Sequence, residues 1–150
     1  MKKTLFLFAS VLIFLSACTK NSSTTPQTQA ELIAANGWKI DRFAALDGTT
    51  ITSNKLNPTS VLILSLDFAF HTPNSQGIGI VRATDKISKQ VVNAGTWSFV
   101  ENNTKMDIKV SGFTGTFSVV ELTKTKLVLR NRVPVSGVDT DTNMEFSPNI

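Results

Sequence analysis

From residue 61 onward, large apolar side chains recur at every second position. "VLILSLDFAF" (61–70) puts Leu62, Leu64, Leu66, Phe68 and Phe70 on one parity. A period of two belongs to an extended strand with one face buried and the other wet. The pattern returns in "GIGIVRA" (77–83), "VVNAGTWSFV" (91–100), "KMDIKV" (105–110), "FTGTFSVVEL" (113–122), "KLVLRNRV" (126–133) and "NMEFSP" (143–148), with "WKIDRFAAL" (38–46) ahead of them all. Turn-forming residues separate the runs, among them Asp47-Gly48 and the tetrapeptide "ENNT" (101–104). Eight or nine short strands joined mainly by short loops predict an all-β antiparallel fold, either a barrel or a sandwich. The absence of crossover helices excludes a parallel α/β sheet. One helix is expected, from Gln29 to Asn36. Thr28 and Glu31 have capping-box spacing, and Gly37 is placed to end the helix in a left-handed conformation.

Cys18 is the only cysteine in 150 residues, so no disulfide can form within the chain and the core must supply the stability. It follows Lys2, Lys3 and an uncharged, mostly apolar run from Leu5 to Ala17. That run is too short for a membrane-spanning helix but suits the core of a signal peptide. Leu15-Ser16-Ala17-Cys18 resembles the lipobox of bacterial lipoproteins. The resemblance implies that residues 1–17 are a cleaved lipoprotein signal peptide and that the Cys18 thiol receives a diacylglycerol. Cys18 then becomes the first residue of the mature protein, held in a membrane by its acyl chains. Each buried CH₂ contributes about 0.8 kcal/mol to such an anchor, and stable attachment takes two or more chains.

After Cys18, "TKNSSTTPQ" (19–27) is polar throughout and reads as a flexible tether, so residues 18–28 join the anchor to one domain over 29–150. Without Lys2 and Lys3 the formal net charge falls from +4 to +2, which makes no case for a nucleic-acid partner. In Bacteroides-type lipoproteins, which this chain resembles, an acidic run just after the cysteine marks export to the cell surface. Here Thr19 and Lys20 stand in its place. The expected location is therefore the outer membrane, lipid-anchored, on its periplasmic face rather than the cell surface.

The short helix, Gly37-Trp38 opening the first strand, "GTWSF" (95–99) and the hairpin "FSVVELTKTKLVLR" (117–130) resemble the small lipocalin-like domains of those same lipoproteins. The resemblance covers roughly residues 29–147. It implies an up-and-down, calycin-type barrel of about eight strands with the helix near one end, and a small apolar ligand inside. The chain departs from larger lipocalins in that Gly37 and Trp38 are adjacent, the domain is short and no disulfide ties the last strand.

Catalysis has little support in these residues. His71 is the only histidine and lies in a loop setting beside Thr72-Pro73, away from any nucleophile and buried acid. No cofactor is expected. "DTDTNME" (139–145) has the alternate acids of a calcium loop, but Met144 and Ile150 occupy the positions where Gly and Glu would be required, so no metal is expected. As a strand it alternates well, with Asp139, Asp141, Asn143 and Glu145 outward and Met144 and Phe146 inward. "GIGIVR" lacks the third glycine of a dinucleotide loop, and "GFTG" joins strands rather than the helices of a nucleic-acid loop. Lys124, Lys126, Arg130 and Arg132 share one parity and predict a basic outer stripe, beside Lys105 and Lys109.

The sharpest site expectation concerns the interior. If Trp38 and Ile40 face inward, the same parity takes Arg42 in; Ile78 and Ile80 would take Arg82 in; and Asn131 shares the parity of Leu127, Leu129 and Val133. Arg42, Arg82 and Asn131 would then grip a polar head at the mouth of a pocket, while Phe68, Phe70, Trp97, Phe99 and Phe117 enclose an apolar tail. The competing expectation is that bulges turn the arginines outward. The leading functional expectation is a lipoprotein, not an enzyme, that binds or carries a small apolar or amphipathic ligand. The alternative is a structural or interaction lipoprotein with a filled core, docking a protein or membrane partner.

Overall fold

The computed structural model describes residues 27–149. The expected signal peptide, Cys18 and most of the expected tether lie outside the described residues. In chain order the elements are α1 (Gln29–Ala34), β1 (Gly37–Ala44), β2 (Thr50–Ile51), a 3-10 turn (Ser53–Lys55), α2 (Pro58–Leu64), β3 (Leu66–Phe70), β4 (Gly79–Asp85), β5 (Val91–Val100), β6 (Lys105–Val110), β7 (Phe113–Leu122), β8 (Leu127–Val135) and β9 (Val138–Pro148). Strands β1 and β3 to β9 follow one another around an antiparallel barrel, which β9 closes by pairing with β1. Strand β2 is a short extra strand on β1. Of the barrel and the sandwich that the alternation allows, the chain forms the barrel, closed by eight strands and lipocalin-like, as the family resemblance implies.

Local chemistry accounts for the elements. Thr28 accepts the Glu31 N–H at 3.2 Å while the Glu31 carboxylate accepts the Thr28 N–H at 2.8 Å, the reciprocal cap expected for α1. Gly37 does not take the left-handed conformation; the helix ends at Ala34 and Gly37 opens β1. The larger departure is α2. Residues 61–64 do not extend as a strand, because Asn57 accepts the Ser60 N–H at 2.7 Å and Pro58 occupies the first turn, where its missing N–H costs nothing. The alternation of "VLILSL" is therefore split between a helix that turns Ile63 inward and a strand that begins at Leu66.

Helix α1 closes one end of the barrel, beside the 101–104 and 123–126 turns; Asn36 Nδ2 donates to the Lys124 carbonyl at 2.9 Å there. Helix α2 lies at the other end, with the 86–90, 111–112 and 136–137 turns. Between them the interior is filled. Phe68 packs against Phe113 at 5.0 Å between ring centroids and against Phe146 at 6.3 Å. Trp97 meets Phe70 and Phe99 edge-on at 5.7 and 5.5 Å. Both indole N–H groups are satisfied, Trp38 by the Ile33 carbonyl and Trp97 by the His71 carbonyl. An eight-stranded barrel is just wide enough for its side chains to fill it, and here they do.

Lys86 ties the α2 end together. Its ammonium donates to the Ile40 carbonyl at 3.0 Å, where β1 bulges, and to the Leu64 carbonyl at 2.6 Å, at the end of α2. Partial burial holds its pKa below the usual lysine value, although Asp67 and Asp41 pull the other way. Lys86→Met is expected to cost about 1–2 kcal/mol, since two carbonyls lose a charged donor. With the folded pKa below the unfolded one, the unfolded chain binds more protons, so Lys86 contributes more to stability as pH rises toward 10.5. The gap between wild type and Lys86→Met in urea unfolding should therefore widen as pH is raised toward 10.5.

Candidate functional site

A cleft of about 150 Å³ opens at the α2 end of the barrel. One side is α2, which presents Asn57, Thr59, Ser60 and Ile63. The other is built from the start of β7 and the far half of β8, with Gly112, Phe113, Thr114, Phe117 and the run Asn131 to Pro134; Phe43 and Met144 complete it. Phe113 forms the floor, its ring 4.7 Å from Phe117, 5.0 Å from Phe68 and 6.5 Å from Phe146. Below that aromatic layer lie the buried side chains of Trp97, Phe70, Met106 and Ile108. Its polar side chains are hydroxyls, amides and one guanidinium, groups that hold hydrogen bonds rather than exchange protons near neutral pH.

Two of the sequence-predicted residues meet here, Asn131 and Phe117. Phe68, Phe70 and Trp97 are buried in the packed middle instead of around a hollow. Phe99 is half-buried at the opposite end. There it joins Ala30, Thr72, Pro73, Gly77 and Asn103 in a shallow groove of about 370 Å³ against the start of α1.

The inward placement expected for Arg42 and Arg82 does not hold. β1 shifts register between Ile40 and Arg42, so Asp41 and Arg42 both turn outward before Phe43 returns to the core. Arg42 then forms a two-pronged pair with Glu145, Nε to Oε2 and Nη2 to Oε1 each at 3.0 Å, and donates to Thr50 Oγ1 at 2.9 Å. In β4 the parity is reversed: Gly79, Val81 and Ala83 face inward, leaving Ile78, Ile80 and Arg82 exposed. The cause is the Trp97 indole, which occupies the place where a Cβ at position 79 would stand. Only a strand that presents glycine there can pack against it.

Cleft residues that sequence reasoning missed are Phe43, Ile63, Phe113, Val133 and Met144 as lining groups. The one signal that could have found Ile63 is Asn57-Pro58, a helix-start pair ahead of an apolar run. The basic residues predicted as a stripe do lie outside, and several have partners: Arg130 Nε donates to Asn143 Oδ1 at 2.8 Å, Lys126 pairs with Glu121 at 2.8 Å, and Lys105 pairs with Glu101 at 2.8 Å. His71 is an exposed loop residue. No protein-family model matches the chain, and no curated protein matches it.

Proposed function

We propose that this chain is an outer-membrane lipoprotein, anchored through acyl chains on Cys18 and facing the periplasm, whose barrel binds a small apolar or amphipathic molecule in the α2 cleft. The observation that carries this reading is the cleft itself: apolar walls from Phe43, Ile63, Phe113, Val133 and Met144 with a few polar groups at one side. Its size suits a ring or a short branched chain, and the Phe68–Phe113–Phe146 layer leaves no room for a long tail to descend. Orientation supports the reading too. The described chain begins at the α1 end, so a lipid on Cys18 would hold that end toward the membrane and turn the cleft away from it.

The test has two readouts on the purified full chain. Mass spectrometry should find a diacylglycerol adduct on Cys18; a bare thiol in native material removes the anchor. Titration with single-ring amphiphiles should give saturable NMR shifts at the Ile63, Val133 and Met144 methyls, and Val133→Phe, which fills the cleft, should abolish them. Absence of saturation, or identical shifts in Val133→Phe, overturns the binding reading.

A second reading is favoured by a different observation. Leu46, Val61, Leu62, Ile87, Val91 and Val138 are all exposed, and all lie in the elements and turns of the α2 end. A filled barrel with that apolar rim fits a docking lipoprotein for a protein or membrane partner.

A further inference from the structure

Asn131 lines the cleft from β8, and only half of its amide is engaged. Its Oδ1 accepts the Arg132 backbone N–H at 2.8 Å, which settles which end of the amide is oxygen. Nδ2 is then the free end of a cleft-lining side chain, and among the described residues it donates to no acceptor. Its surroundings are shaped for a guest. Gly115 stands opposite with a φ of +155°, and a Cβ there would come within 3.1 Å of Asn131 Nδ2 and 3.6 Å of the Phe117 ring. Any side chain at position 115 would thus crowd the amide, and the glycine leaves its two N–H groups open beside an aromatic wall.

We infer that the cleft selects a ring-sized, uncharged ligand carrying a carbonyl or similar acceptor oxygen, which takes its hydrogen bond from Asn131 Nδ2. This rests on the binding reading above and adds the chemical class. Size comes from the cavity: about 150 Å³ is the volume that houses one benzene-like ring. Lack of charge comes from the lining. The single ionic group there, Arg132, is largely exposed and lies 3.8 Å from Asp141, so an acid would keep its charge in water at the rim. The acceptor requirement comes from Asn131. A hydrocarbon over the amide would bury two N–H donors without replacing their water, and that is unfavourable.

Acetophenone and ethylbenzene have the same ring and nearly the same shape, and differ by the carbonyl. Titrated into the full chain, both should shift the Ile63, Val133 and Met144 methyls, but only acetophenone should move the Asn131 side-chain amide resonances downfield. In Asn131→Leu the ratio of the two affinities should swing toward ethylbenzene by about fivefold to tenfold, the worth of one buried hydrogen bond. If both probes bind and neither the amide resonances nor the ratio responds to the carbonyl, the acceptor rule is overturned while the cleft stands as a binding site. If neither probe saturates the wild-type cleft methyls, the binding reading falls and this inference with it. The amide readout needs no variant, so a poorly folded Asn131→Leu does not protect the proposal.

Discussion

Gly95→Ala should cost about 3 kcal/mol or more, although it adds only one methyl group. At this position β5 approaches β6 so closely that a Cβ would stand on the Lys109 carbonyl oxygen, 2.7 Å from its carbon and 2.9 Å from Val110 Cγ2. Two of those three atoms are backbone, so no rotamer change relieves the clash; the strands must part. The adjacent pairings Thr96 with Lys109 and Trp97 with Ile108 would loosen with them, and Trp97 is among the largest fully buried side chains. Gly112→Ala is the informative control. Nothing lies within 4 Å of a Cβ there, and the penalty is the left-handed φ of +79°, worth about 1 kcal/mol. Chemical denaturation of the two variants should rank them in that order. If Gly95→Ala unfolds within 1 kcal/mol of wild type, the close approach of β5 and β6 is wrong.

Strands whose buried parity is marked by several large side chains were readable residue by residue. Met106, Ile108 and Val110 face in, as do Trp97 with Phe99 and Met144 with Phe146, while Glu145 faces out to meet Arg42. The count of such strands and the shortness of the loops left a barrel and a sandwich both open, and the pairing of β9 with β1 closes the sheet. What escaped were positions at which one strand departs from strict alternation for a reason supplied by another. Arg42 follows Trp38 and Ile40 on paper, but a bulge consumes one residue between Ile40 and Arg42. Ile78 and Ile80 are the greasier set in β4, yet the indole of Trp97 requires glycine on the inner side.

α2 escaped for a third reason. A short apolar run fits either period, and the arbiter is its flank: the Asn57 cap and Pro58 turn "TSVLIL" into a helix before alternation can apply. The candidate site shows the same division. Asn131 was placed inside by parity alone, and Phe117 with it. The wall opposite them needed α2, and without that helix the cleft had no second side. The expected roles of Phe68 and Phe70 changed for the same reason: inward aromatics in a small barrel meet one another before they can surround a ligand.

Trp38→Ala should be the most damaging single truncation in the α1 half of the molecule. The side chain is fully buried at the point where β1 pairs with Phe68 on one side and with Pro148 on the other, so it sits beside the seam that closes the barrel. Removing it leaves a large void, for which about 3–5 kcal/mol is the usual cost. It also frees the Ile33 carbonyl, which lies in the last turn of α1 and takes its hydrogen bond from the Trp38 indole at 2.8 Å. A six-residue helix has little intrinsic stability, so α1 depends on that bond and on the buried Ile33 side chain. Trp38→Phe separates the two effects. It keeps most of the volume and loses the donor, and should cost about 1–3 kcal/mol. Amide exchange supplies the second measurement. In Trp38→Phe, protection should fall across residues 31–34 while β6 to β8 keep theirs; in Trp38→Ala it should fall throughout the sheet, because the stability of a domain this size is only about 5–15 kcal/mol. Retained protection in α1 of either variant would mean that the indole does not hold the helix to the barrel.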